Sequence, residues 1–545
     1  MSSPLRALAF PAVLLAALPH ALAAQANVVP GLDVRLSAMR SIAAIGRTGS
    51  FPDGINGIAF DTTVCNDGTV EVPWFQPMNV RHPKIAFLVA GLRDGRLVQL
   101  SGRSFVKHGF FAANSPGCGT PCMRPAGDPG EYLGVGCADT YAISNNGDNF
   151  YLGPAEEIDP WLGTWDKACS LFDRGFPAVA APEDCDGRRS LTRTAAAALG
   201  PVHSRVQVRD AELLAGGPLF FQGHYVVEGQ AEATRDDNLG SRGFTATWSG
   251  SAWSLAPSSP LVAGTVLAQW PGAEITSATN GALDGRVYCG LVVSGPVQGF
   301  YRYEYALHNR DNARGIGALR IPLCSGARVR AAGFRDADGD PASDWSIERK
   351  GNELVFAARS ALLPWNTIHN FWFESDAAPA DAALQLSSGA PPSRPAHFAL
   401  PGRAPLALHA VHTGPGCALG PPPTLFPLGT PPRATLGNAS FALGSAGNAA
   451  QQPSALYFTP GAGTASFPPC KLLLGPRPVL ASLVTSDAAG LAVHPVPIPN
   501  DIALEGRVFA LQALARRPGA GVLFADWELS DGLLVRVGDA LADCP

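Results

Sequence analysis

The chain is short of charge. Asp, Glu, Lys and Arg make up 16% of its 545 residues, against about 25% in a typical soluble domain. Neither sign dominates: 40 Lys and Arg stand against 45 Asp and Glu, for a net charge of −5. A dedicated nucleic-acid binder would carry a basic footprint, and there is none. Long apolar runs are also scarce. The one that stands out, Ala7 to Leu18, is interrupted by Pro11 and ends at Pro19 and His20, short of the about 20 residues a membrane span needs. Catalytic signatures are missing too. No G-x-S-x-G nucleophile elbow, H-E-x-x-H zinc helix, Walker loop or Rossmann fingerprint occurs, so the common hydrolase, metalloprotease and nucleotide-binding templates have no support. No stretch repeats itself.

Glycine and proline are plentiful, at 60 and 49 residues. They are the two poorest helix formers, which argues against a bundle or coiled coil. A hydrophobic share of 46% suffices for large cores, and at roughly 150 residues per domain the length implies three or four folding units.

The first 24 residues read as a secretory signal peptide. Arg6 supplies the positive start, Ala7 to Leu18 the apolar stretch, and Ala21-Leu22-Ala23 a small-residue cleavage site, with Ala24-Gln25-Ala26 as a second option. Export makes disulfides the default state of the eleven cysteines. The C-x₃-C of Cys118 and Cys122, followed by Cys137, is a poor match to zinc spacing. Local pairings Cys169–Cys185, Cys289–Cys324 and Cys417–Cys470 would each close a loop within one domain, worth about 2–4 kcal/mol. Cys544, beside the C-terminus, is the expected odd cysteine.

The residue pattern predicts a mainly β protein of multi-domain antiparallel β-sandwich units with little helix. Short alternating runs such as GINGIAFDTTVC (54–65) are bounded by turn residues. Asp94-Gly95 lies between two apolar runs as a hairpin signal. Only LTRTAAAALG (191–200) reads as helix, stopped by Gly200-Pro201. In GFYRYEYALHN (299–309), Tyr301, Tyr303 and Tyr305 share one strand face. The expected organisation is an N-terminal β-rich unit over 27–200, a sandwich over 201–388, a Pro-rich linker over 389–408 and a C-terminal sandwich over 409–545.

Three clusters are candidates for chemistry. His82 and His108 flank the hairpin and can meet at the far ends of its strands. With His224 they would supply the three imidazoles of an open copper or zinc site. The ordinary reading is imidazoles bonded to backbone at strand ends. Asp336, Asp338 and Asp340 crowd three carboxylates into one turn, a pattern that suits calcium but equally a solvated Asp-Gly turn. Glu156, Glu157, Asp159 and Asp166 lie near Trp161 and Trp165, as in a sugar-binding cleft or, more ordinarily, a capped turn anchored by its tryptophans.

The phrases TTVCNDG, HPKIAF, RDGRLVQLSGRSFVKHGFFA and LGVGCADTY, with GFYRYEYALHNRDNARGIGALRIPL, FRDADGD and NTIHNFWF, resemble a family of secreted, uncharacterised β-rich proteins of environmental bacteria. The resemblance covers roughly residues 30 to 380. The last 135 or so residues resemble a β-rich C-terminal module appended to many exported bacterial proteins. Both imply export and a β architecture, and neither implies an activity. Other family members have a longer His-containing segment where this chain has residues 336–340, so the resemblance gives that turn no metal role. The functional expectation is a secreted or cell-surface binding or structural protein of unknown ligand, without a nucleic-acid partner or a transmembrane segment after signal cleavage. The alternative is a copper- or zinc-dependent extracellular enzyme or carrier using His82 and His108.

Overall fold

Residues 28–127, 130–174, 185–280, 284–389 and 397–538 are described by the computed structural model. The expected signal segment and Cys544 lie outside them. The alternating runs form strands as their pattern predicts: the chain is 47% strand and 8% helix, with antiparallel sheets throughout. The one convincing helical run becomes the short helix Arg193–Ala198. Thr192 caps it, its side chain accepting from Ala195 N at 3.1 Å.

In the first unit, the hairpin at Asp94-Gly95 forms as expected. Both residues take left-handed φ values of 51° and 81°, the conformation a two-residue turn requires, and Arg93 pairs with Arg96 across it. The strand Lys84–Arg93 then becomes the spine of an eight-stranded sheet. One edge takes Arg96–Gln99 and Val106–His108; the other takes Leu219–Val226 along its whole length. This overturns the expected break at 200/201. Val206–Arg209 also crosses it, pairing with Ile55–Phe60. Every residue of Leu219–Val226 is buried, which marks a central strand covered on both faces and not the first strand of a new unit. Its core gathers Phe60, Phe87 and Phe221, with ring centroids about 5 Å apart.

The second unit is a sandwich of two five-stranded sheets. Tyr303 and Tyr305 point into it as the period-two pattern predicts, stacked with Phe373 at 5.1 and 6.0 Å. Each hydroxyl donates to a carbonyl, of Ala377 and Arg403 respectively. Of the proposed Pro-rich linker over 389–408, residues 390–396 lie outside the described residues. Residues 397–407 form an edge strand paired with Ala378–Ser388, where a proline's missing N–H costs no ladder bond. The third unit packs a six-stranded sheet against a three-stranded one around Leu425, Leu443, Leu456, Leu511 and Leu533.

The first two units are joined by an apolar seam. Leu88, Ala90, Leu97 and Phe220 pack on Tyr288, Ala306 and Ile368. Asn370 donates to Leu97 O at 2.8 Å, Ile368 N to Gln99 Oε1 at 2.8 Å, and Asn366 to Phe87 O at 3.0 Å. Beside these lies a buried charge network. Asp311, 1% exposed, accepts from Arg235 at 3.0 Å and Arg310 at 3.1 Å, and Arg310 reaches Glu232 at 2.9 Å. Burial alone would raise the Asp311 pKa, yet the two guanidiniums hold it down to about 2.

Disulfides join Cys65–Cys118, Cys122–Cys137, Cys169–Cys185 and Cys417–Cys470. The last two pairs match expectation. Cys289–Cys324 does not form: Cys289 is a free thiol in the sandwich core, whereas Cys324 is disulfide-bonded and packs with Ala327, Ala377 and Leu408.

Two outcomes follow. Replacing Asp311 by Ala removes the carboxylate partner of the buried Arg235 and one of those of Arg310, and is expected to cost about 3–5 kcal/mol in urea melts. In native protein Cys289 should resist a maleimide, because it is buried and its thiol pKa is pushed up to about 12. Labelling after non-reducing denaturation should appear at residue 289 in peptide maps and not at Cys324.

Candidate functional site

The register that pairs Lys84 with His108 brings the two hairpin histidines together. His82 lies just before one strand and His108 ends the other. His108 Nδ1 is 2.6 Å from His82 Nε2, and His82 Nδ1 bonds Asn79 O. A carbonyl only accepts, so His82 carries its proton on Nδ1 and its Nε2 accepts from His108 Nδ1–H. The result is a short directed chain, from His108 to His82 to the Asn79 carbonyl. Its open end is His108 Nε2, which has no hydrogen-bond partner. The backbone of Gly153 packs close to it: a Cβ added there would lie 2.7 Å from that nitrogen.

Aromatic edges close the remaining sides. Trp165 lies 5.1 Å from the His82 ring and 4.4 Å from that of His108, and Phe172 lies 4.6 Å from His108. Trp165 Nε1–H also donates to Asn79 O at 2.8 Å. Two buried lysines flank the pair. Lys84 Nζ donates to Gly163 O, and burial pushes its pKa down to about 7. Lys107 Nζ stands 3.0 Å from the Tyr141 ring centroid and 4.4 Å from that of Phe110, a cation–π arrangement. Burial, and then the neighbouring cations, hold both imidazoles well below 6.5. Sequence reading missed the lysines, although KI and VK at the two strand ends are the signal that carries them.

His224 does not join this pair. It lies opposite Ala86 on the neighbouring strand and faces the seam. Burial takes its pKa to about 3, with smaller effects from Asp311, Arg310 and Arg235. His308 lies across from it, also near 3, its Nδ1 2.7 Å from Thr265 Oγ1. Among the described residues, the one trio of His, Cys, Asp or Glu ligand atoms mutually within 4.8 Å is Cys65, Asp67 and Cys118, whose sulfurs are bonded to each other. The three-imidazole set is therefore not assembled.

The acidic turn is likewise not gathered. Asp336 Oδ1 accepts from the amides of Asp338 and Gly339, Asp338 Oδ1 from Asp340 N, and Asp340 Oδ1 from Ala342 N. The carboxylates cap successive backbone amides, the Asx-turn chemistry of their ordinary reading. Asp336 and Asp338 line a cavity of about 370 Å³ with Arg96, Glu212, Arg335 and Trp372, and burial raises the Asp336 pKa to about 6.

The sugar-platform reading fails on exposure. Trp161 and Trp165 are 6% and 3% exposed, and the Arg235 guanidinium lies 5.0 Å from the Trp161 ring. Of the acids, Glu156 pairs with Arg103, Glu157 accepts from Leu171 N, and Asp159 and Asp166 cap Leu162 and Ala168. The tryptophans anchor a capped loop to the core.

No protein-family model and no curated protein matches the chain. Among solved structures, a variant form of BcpA, the major pilin subunit of Bacillus cereus, overlaps over 59% of this chain and 81% of its own, at 9% identity and a TM-score of 0.19. BcpA itself gives 62% and 84%, 7% and 0.16. The native conformation of E. coli alpha-2-macroglobulin overlaps over 92% of this chain and 24% of its own, at 10% and 0.16. Overlaps this slight carry no inference. No helix among the described residues is long and apolar enough to cross a membrane.

The buried imidazoles give a pH signature. His369, wedged against Phe334 and Trp345 with Nδ1 unpartnered, has its pKa lowered to about 3 by burial. An unfolded imidazole protonates near 6.5. Between those pH values the unfolded state binds more protons, so this stability is complete above pH 6.5 and is lost as pH falls toward 3. Replacing His369 by Leu should flatten the acid limb of urea-derived stability by up to about 1.4 kcal/mol per pH unit. An unchanged slope would refute the assignment.

Proposed function

We propose that this chain is an exported, non-catalytic binding or structural protein, secreted or held at a cell surface. Its first two units act as one rigid body and the third serves attachment or spacing. The observation that carries the reading is the cross-linking: among the described residues four disulfides link cysteines within single β units, and Cys324 is disulfide-bonded as well, the usual state of proteins that work in an oxidising compartment. The resemblance to uncharacterised secreted bacterial proteins points the same way. Two of the clusters that suggested chemistry support it too: the histidines and the tryptophans are buried in internal contacts, while the acidic turn caps its own amides.

One observation favours a metal-dependent alternative: two imidazole nitrogens 2.6 Å apart. Against it stand the complete burial of both rings, the flanking Lys84 and Lys107, and the hydrogen bond that already uses the His82 Nε2 lone pair. A metal ion placed there would lie beside two buried amines and, among the described residues, would find no third His, Cys, Asp or Glu ligand within reach.

Expression of the full chain in an exporting host, followed by fractionation, N-terminal sequencing and elemental analysis without chelator, tests both readings. The expected product lies outside the cytoplasm, begins after Ala23 or Ala26, and holds copper and zinc far below one equivalent. A cytoplasmic, fully reduced protein sinks the export reading. One equivalent of copper or zinc that disappears in His108→Phe moves the assignment to the metal alternative.

A further inference from the structure

Cys324 is disulfide-bonded, and elimination narrows its partner to one residue. The pairs Cys65–Cys118, Cys122–Cys137, Cys169–Cys185 and Cys417–Cys470 take eight of the eleven cysteines. Cys289 is a free thiol. The cysteine that remains in the sequence is Cys544, beyond the last described residue, Gly538. The surroundings of Cys324 agree. It is fully buried where the second unit meets the third, packed with Ala327, Ala377 and Leu408 and, from the third unit, Val411. Val411 lies opposite Leu534, and Ala410 opposite Val535, in the antiparallel pairing of Ala410–Gly414 with Gly532–Arg536. Beyond Val535 the chain therefore heads back toward Leu408 and the second unit. Cys544 follows Gly538 by six residues, about 20 Å of extended chain.

We propose that Cys324 and Cys544 form a disulfide between units, tying the end of the third unit back to the second. The two thiols give up two protons and two electrons to a disulfide-carrying oxidant of the export compartment, which leaves as a dithiol. The bond makes Cys289, and not Cys544, the odd cysteine of the chain. It also changes how the third unit is held. The apolar cluster at this boundary is small beside the seam that joins the first two units, and without the bond the third unit would hang on the single connection after Leu408. With it, the unit is anchored covalently at its entry and near its exit, and cannot pivot on one strand. The inference rests on the export reading for its oxidant and goes beyond it in giving the third unit a fixed mounting.

Peptide mapping of the full mature chain from an exporting host tests it. Free thiols are alkylated in denaturant and the protein is digested with trypsin without reductant, which places the two cysteines on separate peptides, IPLCSGAR (321–328) and VGDALADCP (537–545). Wild type should yield these two peptides joined, with alkylation at Cys289 alone. Cys544→Ser should abolish the joined species and add Cys324 as a second alkylated thiol. The wild-type map decides the matter by itself if that variant fails to fold. An alkylated Cys324 in wild type overturns the proposal, as does Cys324 joined to any other cysteine or to a second copy in a covalent dimer. The remaining disulfides separate the two possible failures. If they form and Cys324 does not join Cys544, this inference alone falls; if every cysteine is reduced, the export reading falls with it.

Discussion

The structure depends on a buried carboxylate. Asp311 sits between Arg310 and Arg235 at the seam of the first two units, and neither its charge nor theirs can be left alone there. Taking an ion out of water costs several kcal/mol, which only a well-placed counter-charge offsets. Arg235 comes from the first unit and Arg310 and Asp311 from the second, so the network is satisfied only when the two are docked. The amide bonds from Asn366, Asn370 and Gln99 add direction to the apolar packing beside it. Such a joint is specific more than it is strong: hydrophobic groups could seal the same space, but they would tolerate sliding.

The same logic explains why the histidines look like a site and are not one. Strand ends bring polar groups to the margins of a sheet, and in this fold those margins are covered by other elements. His82, His108, His224 and His308 are each buried, and desolvation favours their neutral forms. A carbonyl and another imidazole order the first two, and a hydroxyl orders His308. Neutral imidazoles are inexpensive to bury when at least one nitrogen is bonded.

Local features were legible in the sequence and distant ones were not. Asp94-Gly95 announces its hairpin because two successive left-handed positions favour those residue types. Tyr303 and Tyr305 reveal their face through period-two spacing alone, and Cys169–Cys185 is short enough to guess. The break expected at residue 200 failed because Leu219–Val226 completes a sheet begun at Lys84, and no local pattern records which distant edge a strand will choose. Cys289 and Cys324 are close in sequence but face different cores. Trp161 and Trp165 carry no mark of burial, since a tryptophan beside acids reads alike in a cleft and in a capped loop.

The placement of Leu219–Val226 between Lys84–Arg93 and Leu239–Trp248 bears on how the chain matures. A polypeptide made from its N-terminus presents the Lys84–Arg93 strand long before its neighbour exists, so that apolar ladder waits with one side open. Cys65–Cys118 and Cys122–Cys137 join residues available from the start, and they lie in the part of the molecule that must wait. Both pairs precede Leu219 in the sequence, so nothing in their position makes these cross-links wait for the strand that completes the sheet.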